Sequence, residues 1–244
     1  MVAAKNKAAL VIGAGDYLGA AIARRFAREG FTACVTRRRG KGLDDLVASI
    51  EEEGGAARGF YSDARDEDQV AELIGTIERE VGPIEVFVFN VGGNVKFDVL
   101  ETTTRVYTKV WQMCALAGFL NAREVARRML ERGHGTMLFT GATASIRGAA
   151  GFSAFSGGKH ALRALAQSLA RELGPKGIHV AHVVIDGPID TAATRELFPE
   201  SFAKRGPDGI LRPEDIAETY WAIHAQPPSA WTHEVDVRPY LESW

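Results

Sequence analysis

A short glycine-rich turn, placed between an apolar run and a helical pattern, restricts the fold of this chain more than any other feature. The run Ala8–Ile12 precedes the turn, and Leu18–Arg28 follows it with apolar residues at helical spacing. Gly13 and Gly15 let the backbone turn tightly and approach a diphosphate, while Gly19 lets the helix pack closely on the strand. The start of a helix also presents free N–H groups and a positive dipole end to phosphate. The segment therefore predicts the first strand, turn and helix of a dinucleotide-binding fold.

Apolar runs of strand length alternate with helical patterns along the rest of the chain. Further strands are expected at 31–36, around Phe60, and at 84–90, 135–140, 178–185 and 233–237. Further helices are expected at 43–53, 66–81, 103–132 (as one helix or two), 153–173 and 214–225. This alternation predicts an α/β fold, a Rossmann-type doubly wound parallel sheet with helices on both faces. No linker or repeat interrupts the pattern, so a single domain over residues 1–244 is expected.

Composition and charge narrow the class of protein. The chain has 244 residues, of which 46% are hydrophobic and 25% charged, as in ordinary globular proteins. A formal net charge of -2 gives no general attraction to nucleic acid or to an anionic membrane surface. The longest apolar runs are as short as strands, far from a membrane span. Cys34 and Cys114 are isolated and the histidines lack metal-ligand spacing, so a cytoplasmic protein without disulfide or metal is expected.

Two residues one helical turn apart carry a resemblance to a known enzyme family. Residues 155–159 have the sequence FSGGK, and together with the glycine-rich turn they resemble the short-chain dehydrogenase/reductase family, which has Tyr-x-x-x-Lys here. Residues at this spacing share one face of a helix. In the family the tyrosine exchanges a proton with the substrate carbonyl, and the lysine holds the nicotinamide ribose and lowers the tyrosine pKa. In this chain Lys159 is present, and Phe155 stands at the tyrosine position.

Further segments match the family in order along most of the chain. Residues 62–64 resemble the Asp-Val pair that holds the adenine, residues 90–93 resemble an Asn-Ala-Gly segment, and residues 186–191 resemble a Pro-Gly-x-x-x-Thr segment beside the nicotinamide. The resemblance implies a nicotinamide dinucleotide as cofactor. The residues that it assigns to cofactor binding are Gly13, Gly15, Tyr17, Leu18, Gly19, Arg37, Arg38, Asp63, Ala64, Asn90, Val91, Gly92, Lys159, Gly187, Ile189 and Thr191.

Tyr17 stands where the family usually has a glycine in the turn. A tyrosine does not easily adopt a positive φ, so the turn is expected to have a different conformation or to be strained. Three locations of its ring are open: over the diphosphate, in the substrate cleft, or on the surface of a loosened turn.

Two arginines at the end of the second strand bear on the choice of nucleotide. Arg37 and Arg38 lie where the adenosine ribose lies in this fold, and no acidic residue follows them before Asp44. A carboxylate at this place accepts from the ribose 2′-hydroxyl of NAD, whereas the 2′-phosphate of NADP needs cations. The sequence therefore predicts a preference for NADP(H) over NAD(H), with a solvated basic turn as the alternative.

The resemblance is weaker at the catalytic positions. Counting back from Phe155, the family serine that orients the substrate carbonyl falls at Ala142. The family asparagine of the fourth helix falls at Cys114, within one residue. Lys159 is then the single polar group retained out of four. The loss of the other three predicts that any reaction uses a nonstandard proton donor.

Four polar residues are candidates to replace the missing groups. One is Tyr17, which among the remaining tyrosines is the one in a segment that borders the cofactor. Asp186 takes the place of a proline beside the nicotinamide, and burial in an apolar cleft would raise its pKa toward the range of a general acid. The alternative for Asp186 is a turn-forming Asp-Gly pair. Thr143 and Ser145 flank the serine position and are candidates to bind a substrate oxygen, although an aliphatic hydroxyl is a poor acid.

The sequence thus predicts an oxidoreductase that transfers a hydride between NADP(H) and a small carbonyl or alcohol substrate. The alternative is a catalytically inactive NADP(H)-binding pseudoenzyme that acts as a partner subunit or regulator. Residues 190–212 are expected to form a lid over the substrate, because the family covers its substrate with this region. By the same resemblance, a homodimer or homotetramer is expected.

Overall fold

Seven strands among the described residues form one parallel sheet. The computed structural model describes residues 7–39, 42–197, 199–206 and 208–242. The strands are β1 (Ala8–Ile12), β2 (Thr32–Arg37), β3 (Ala56–Tyr61), β4 (Ile84–Phe89), β5 (Gly135–Thr140), β6 (Ile178–Ile185) and β7 (Glu234–Val237). Their order across the sheet is β3-β2-β1-β4-β5-β6-β7, and each neighbouring pair is parallel. The predicted doubly wound parallel sheet is confirmed.

Helices cover both faces of this sheet. They are α1 (Leu18–Arg28), α2 (Leu43–Glu52), α3 (Glu67–Glu80), α4 (Thr104–Trp111), α5 (Ala117–Arg132), α6 (Ser153–Leu173), α7 (Ala192–Leu197), α8 (Pro199–Arg205) and α9 (Pro213–His224). Buried side chains of α1, α2 and α9 form an apolar cluster on one face, and those of α3, α5 and α6 form another on the opposite face. Burial of these two clusters stabilises the layered arrangement.

The strands lack alternation in their sequence because helices cover both of their faces. In β1, Ala9 and Val11 join one apolar cluster, while Leu10 and Ile12 join the other. Observed and expected element boundaries differ by a few residues. The second strand, for example, runs over Thr32–Arg37 instead of 31–36.

The segment 103–132, expected as one helix or two, consists of α4 and α5 joined by a π-helical segment, Gln112–Leu116. A π segment widens the helix by one residue per turn and shifts the side chains that follow it. Cys114 lies in this segment and packs against α6, where a Cβ added at Gly158 would lie 2.9 Å from the Cβ of Cys114. The close contact fixes the start of α6, which carries Phe155 and Lys159, against the π segment.

The order of the sheet predicts where a ligand binds. β1 pairs with both β2 and β4, so the strand order reverses at β1. In open α/β sheets, ligands bind at such a reversal, outside the carboxyl ends of the strands. The glycine-rich turn follows β1 and Asn90 follows β4, so both lie at this edge.

The expected lid segment, residues 190–212, contains α7 and α8 and ends next to α9. Positions 198 and 207 of this segment lie outside the described residues. Across the described parts of the chain, no helix has the length and apolar character needed to cross a membrane.

Candidate active site

The glycine-rich turn is held tightly against the end of β4. Gly13 has a φ of 86°, and a Cβ there would lie 2.8 Å from the carbonyl oxygen of Asn90. A Cβ at Gly19 would lie 2.5 Å from the Gly13 oxygen, which also accepts a 3.1 Å hydrogen bond from Asn90 Nδ2. A Cβ at Gly15 would meet no atom within 4 Å, so the turn is open on that side. Packing therefore explains Gly13 and Gly19, while Gly15 leaves room for a ligand to approach the backbone.

Tyr17 links this turn to the lid segment. Its φ is -112°, so the turn has a different conformation from one with a glycine in the left-handed region, and no left-handed strain arises. Its hydroxyl accepts a 2.9 Å hydrogen bond from the backbone N–H of Ala192, the first residue of α7. The side chain is partly exposed and spans the gap between the two segments.

A smaller cavity of about 200 Å³ lies beside the turn, and we call it the adenosine cavity after the part of the cofactor that the sequence predicts there. Its lining includes Gly13, Arg37, Arg38, Asp63, Ala64 and Val91, all of which the sequence assigned to the cofactor. Arg37 donates to the Ala14 carbonyl at 2.7 Å and to Asp16 at 2.5 Å, whereas Arg38 is exposed at the rim. The two arginines therefore differ, because one stabilises the turn and the other faces solvent.

Asp63 lines the adenosine cavity, and Asn121 supports the wall of this cavity from behind. Hydrogen bonds from Arg65 lower the pKa of Asp63 to about 2, so its carboxylate is charged and engaged by that arginine. Asn121 is fully buried in α5 and donates to the carbonyl oxygens of Ala64, at 2.9 Å, and Ala117, at 2.8 Å. Asn121 was not predicted from the sequence, although an amide on the apolar face of a helix was a signal for it.

A larger cavity of about 700 Å³ lies at the carboxyl ends of β4, β5 and β6, and we call it the substrate cavity after the ligand that the sequence predicts there. The predicted residues that line it are Leu18, Asn90, Gly92, Ala142, Phe155, Lys159, Gly187, Ile189 and Thr191. The fold therefore brings together segments that are far apart in the sequence. Thr143, Arg147 and Phe152 also line this cavity.

Lys159 is a buried cation in the wall of the substrate cavity. It is 3% exposed, and its ammonium group donates to the carbonyl oxygens of Thr140, at 2.7 Å, and Val91, at 3.2 Å. Burial lowers the pKa of Lys159, because the charged form loses its hydration. An ammonium group has three protons, and the third meets no acceptor among the described residues. Lys159 can therefore hold a polar group of a ligand, such as a ribose hydroxyl.

The surroundings of Phe155 are apolar. Its ring centre lies 5.9 Å from Lys159 Nζ, and the ring packs in a small apolar cluster with Cys114 and Ala144. Burial raises the pKa of the Cys114 thiol, so this side chain remains neutral and is a weak acid. Ala142 brings no polar group to the cavity. Phe155, Ala142 and Cys114 therefore contribute shape to the site and no proton donor near neutral pH.

Asp186 lies directly behind the cavity wall. Thr143 Oγ1 donates to Asp186 Oδ1 at 2.5 Å, and Asp186 is 1% exposed. Arg147 approaches Oδ1 to 3.5 Å, and Arg238 approaches Oδ2 to 3.4 Å. The burial expected from the sequence is observed, but the expected apolar surroundings are wrong, because two guanidinium groups lie within 3.5 Å of the carboxyl oxygens.

Ser145, the other hydroxyl near the serine position, does not face the cavity. It is fully buried, and its Oγ accepts a 3.0 Å hydrogen bond from the backbone N–H of Ala142. Its side chain therefore fixes the loop after β5, and the expectation that it binds a substrate oxygen is not supported by its position.

Comparison with known proteins agrees with this geometry. The profile of the short chain dehydrogenase family matches residues 7–201. The human protein dehydrogenase/reductase SDR family member 4 is 30% identical over 219 residues, which cover 87% of this chain and 78% of the human one.

Two crystal structures resemble the whole fold. One, of a short-chain dehydrogenase from Rhodopseudomonas palustris, has a TM-score of 0.82 and 48% identity, covering 97% of this chain and 100% of that one. The other, of a tryptophan variant of actinorhodin polyketide ketoreductase with NADPH, has a TM-score of 0.89 and 26% identity, covering 98% of each chain. With the family profile matched over most of its length, this chain belongs to the short-chain dehydrogenase family of oxidoreductases.

Proposed function

We propose that this chain is an NADP(H)-dependent oxidoreductase that transfers a hydride between the nicotinamide and a small carbonyl or alcohol substrate, using a proton donor other than tyrosine. The observation that carries the proposal is the position of Lys159. This residue lines the substrate cavity and donates to the carbonyl of Val91, which lines the adenosine cavity. Its remaining proton has no acceptor among the described residues, as expected of a group that grips a ligand spanning both cavities.

The residues around the two cavities fit the diphosphate, the 2′-phosphate and the nicotinamide ribose of NADP(H). The open side of the turn at Gly15 and the start of α1 suit the diphosphate, since helix N-termini bind anions. Arg38 is the candidate for the 2′-phosphate, because Arg37 already engages Asp16 and the turn. Lys159 would hold the ribose beside the nicotinamide, near Gly187 and Thr191. When bound, the nicotinamide supplies or takes up the hydride.

The substrate would lie against the apolar part of the substrate cavity. Phe155 and Ala142 line it and favour a substrate with an apolar body next to the reacting carbon. Residues 190–212 would cover it, and the hydrogen bond from Ala192 to Tyr17 would tie this lid to the turn. A homodimer or homotetramer in the cytoplasm is part of the same proposal.

The test is a paired measurement on the full chain. Affinities for NADPH and NADH are measured first, followed by turnover of a panel of ketones, aldehydes and secondary alcohols. We expect NADPH to bind more tightly and the wild type to turn over at least one substrate class. A positioned acid contributes about 10²–10⁴-fold in rate, so Phe155→Tyr together with Ala142→Ser is expected to raise carbonyl reduction within that range.

Phe119→Tyr is the control, because it adds the same hydroxyl on the exposed face of α5, outside the lining of the substrate cavity. It is expected to leave the rate unchanged. NADPH binding without wild-type turnover, with turnover restored by Phe155→Tyr, would contradict the proposed activity and indicate a pseudoenzyme. Absence of binding to either nucleotide would contradict the cofactor assignment.

A further inference from the structure

A hydroxyl and a buried carboxylate meet at the wall of the substrate cavity. The Thr143 hydroxyl lines the cavity, and its oxygen lies 2.5 Å from Asp186 Oδ1. This is the short distance typical of a hydroxyl that donates to a carboxylate. A carboxylate only accepts hydrogen bonds, so the proton on Thr143 points at Asp186. The lone pairs of the Thr143 oxygen are then left for the cavity.

We infer that Thr143 and Asp186 form a proton relay that receives the proton of a substrate hydroxyl during alcohol oxidation. The inference rests on the proposed function and specifies both its proton path and its substrate, an alcohol. A hydroxyl whose own proton is committed can accept a hydrogen bond from a substrate O–H. It is poorly placed to donate one to a carbonyl.

Asp186 lies buried between two guanidinium groups. Arg147 lies 3.5 Å from its Oδ1, and Arg238 lies 3.4 Å from its Oδ2. Asp186 Oδ2 has no hydrogen-bond partner among the described residues, and both oxygens are shielded from water. The buried carboxyl group of Asp186 therefore reaches the cavity through the hydroxyl of Thr143.

Both members of the relay sit on rigid parts of the fold. Thr143 begins a short 3-10 turn after β5, held by the hydrogen bond from Ala142 to Ser145. Asp186 follows β6, and its backbone N–H donates to the carbonyl of Val237 at the end of β7 at 2.9 Å. Such support keeps the oxygen–oxygen distance short without the substrate.

The proton and electron balance of the step is complete. The O–H bond of the substrate breaks, its proton passes to Thr143 Oγ1, and the proton of Thr143 passes to Asp186 Oδ1. The C–H electron pair of the same carbon leaves with its hydrogen as a hydride to the oxidised nicotinamide of the proposed cofactor. A carbonyl forms, and Asp186 ends as the neutral acid, which returns its proton through Thr143 to the open cavity after the product leaves. Asp186 acts through Thr143, so Thr143 is the catalytic residue of the pair.

The first test compares Thr143→Ser, Thr143→Val and Asp186→Asn in the full chain. The probes are NADP+ with 2-butanol, cyclohexanol and 1-phenylethanol. Thr143→Ser keeps the hydroxyl and is expected to retain kcat within about threefold. Thr143→Val and Asp186→Asn are expected to lower kcat by about 10²–10⁴-fold, the range of acid–base catalysis, with little change in KM or in NADP+ affinity. If Thr143 and Asp186 had only a structural role, their replacement would change KM and the stability of the fold, and Thr143→Ser would not restore kcat selectively.

The second test needs no turnover. Infrared spectra of the nucleotide-free protein identify the Asp186 carboxylate band as the one lost in Asp186→Asn. That band is expected to shift in Thr143→Val, which lacks the donor, and to stay in place in Thr143→Ser. A band unmoved by Thr143→Val would overturn the relay whatever the activity.

The outcomes separate the relay from the proposed function. Wild-type turnover with full kcat in Thr143→Val overturns the relay and leaves the oxidoreductase standing. If the protein binds the nucleotide but oxidises none of the alcohols with NADP+ and reduces none of 2-butanone, cyclohexanone and acetophenone with NADPH, both the relay and the proposed oxidoreductase activity are overturned. Loss of kcat in Thr143→Val with retention in Thr143→Ser supports the relay.

Discussion

Replacing Arg38 with alanine is expected to weaken the binding of NADPH while leaving that of NADH nearly unchanged. Arg38 is exposed at the rim of the adenosine cavity, and the 2′-phosphate is the group that distinguishes the two nucleotides. A hydrogen bond to a charged group contributes about 1.5–3 kcal/mol, which corresponds to roughly a 10- to 100-fold change in Kd. Because water screens an exposed side chain, we expect a loss of about tenfold, at the lower end of this range.

Arg37→Ala is the matched comparison, because Arg37 is already engaged with the turn. Its guanidinium donates to Ala14 O at 2.7 Å and to Asp16 at 2.5 Å. Its removal would loosen the turn that is proposed to meet the diphosphate common to both nucleotides. Arg37→Ala is therefore expected to weaken the binding of NADPH and of NADH by similar factors, so that the preference for NADPH is unchanged.

Isothermal titration calorimetry of each variant with NADPH and NADH, at one fixed ionic strength, measures both affinities. Arg38→Lys should recover part of the NADPH affinity, because it restores the charge without the planar fork of donors. Equal losses for the two nucleotides in Arg38→Ala would refute the assignment of Arg38 to the 2′-phosphate. Loss of the NADPH preference in Arg37→Ala, with unchanged NADH affinity, would transfer that role to Arg37.

Three further predictions concern stability, and urea denaturation measures each. Burial lowers the pKa of His224 from 6.5, its ordinary value, to about 4 in the folded protein. The contribution of His224 to the free energy of unfolding is therefore expected to be constant above a pH of about 6.5 and to decrease as the pH falls from about 6.5 toward 4, because the unfolded chain takes up a proton that the folded protein does not. Between pH ~7.5 and ~5 this is expected to lower the free energy of unfolding by about 1–2 kcal/mol. His179 and His182 also have pKa values lowered by burial, so His224→Gln is expected to reduce the total loss by that amount, whereas the exposed control His160→Gln is expected to leave the total loss unchanged. Tyr220→Phe should lower the free energy of unfolding by about 1–2 kcal/mol, because it removes a buried 2.7 Å hydrogen bond to Thr140 in β5. An unchanged free energy of unfolding would contradict this prediction. Gly118→Ala should lower the free energy of unfolding by about 1–3 kcal/mol, because the added Cβ would lie 2.6 Å from a methyl group of Leu162 in α6. The control Gly174→Ala should leave the free energy of unfolding unchanged, because its Cβ would meet no atom within 4 Å.

Much of the fold was predictable because its signals are local. Each buried strand is a short apolar run, and each of the longer helices has apolar residues at helical spacing, so the order of these elements follows from the chain itself. The short helices α7 and α8 were not predicted. The glycine-rich turn was equally readable, since Gly13 needs a positive φ and Gly19 tolerates no Cβ beside the Gly13 oxygen. The π segment around Cys114 was not predicted, because no local pattern distinguishes it from an ordinary turn of helix.

The candidate site was predictable only in part. The spacing of Phe155 and Lys159 places both on one face of α6, and both line the substrate cavity as expected. The contact between Tyr17 and Ala192 joins segments with no sequence pattern in common. The environment of Asp186 was also missed, because Arg238 reaches it from the segment after β7.

The sequence by itself determined the alternation of strands and helices, the glycine-rich turn and the position of Lys159 one turn after Phe155, because these depend on residues close together in the chain. The tertiary structure alone decided which carbonyl oxygens Lys159 contacts, that Arg37 serves the turn while Arg38 faces solvent, and that Asp186 pairs with Thr143. Burial, distance and charge at these places depend on segments that meet only when the parallel strands align at one edge of the sheet.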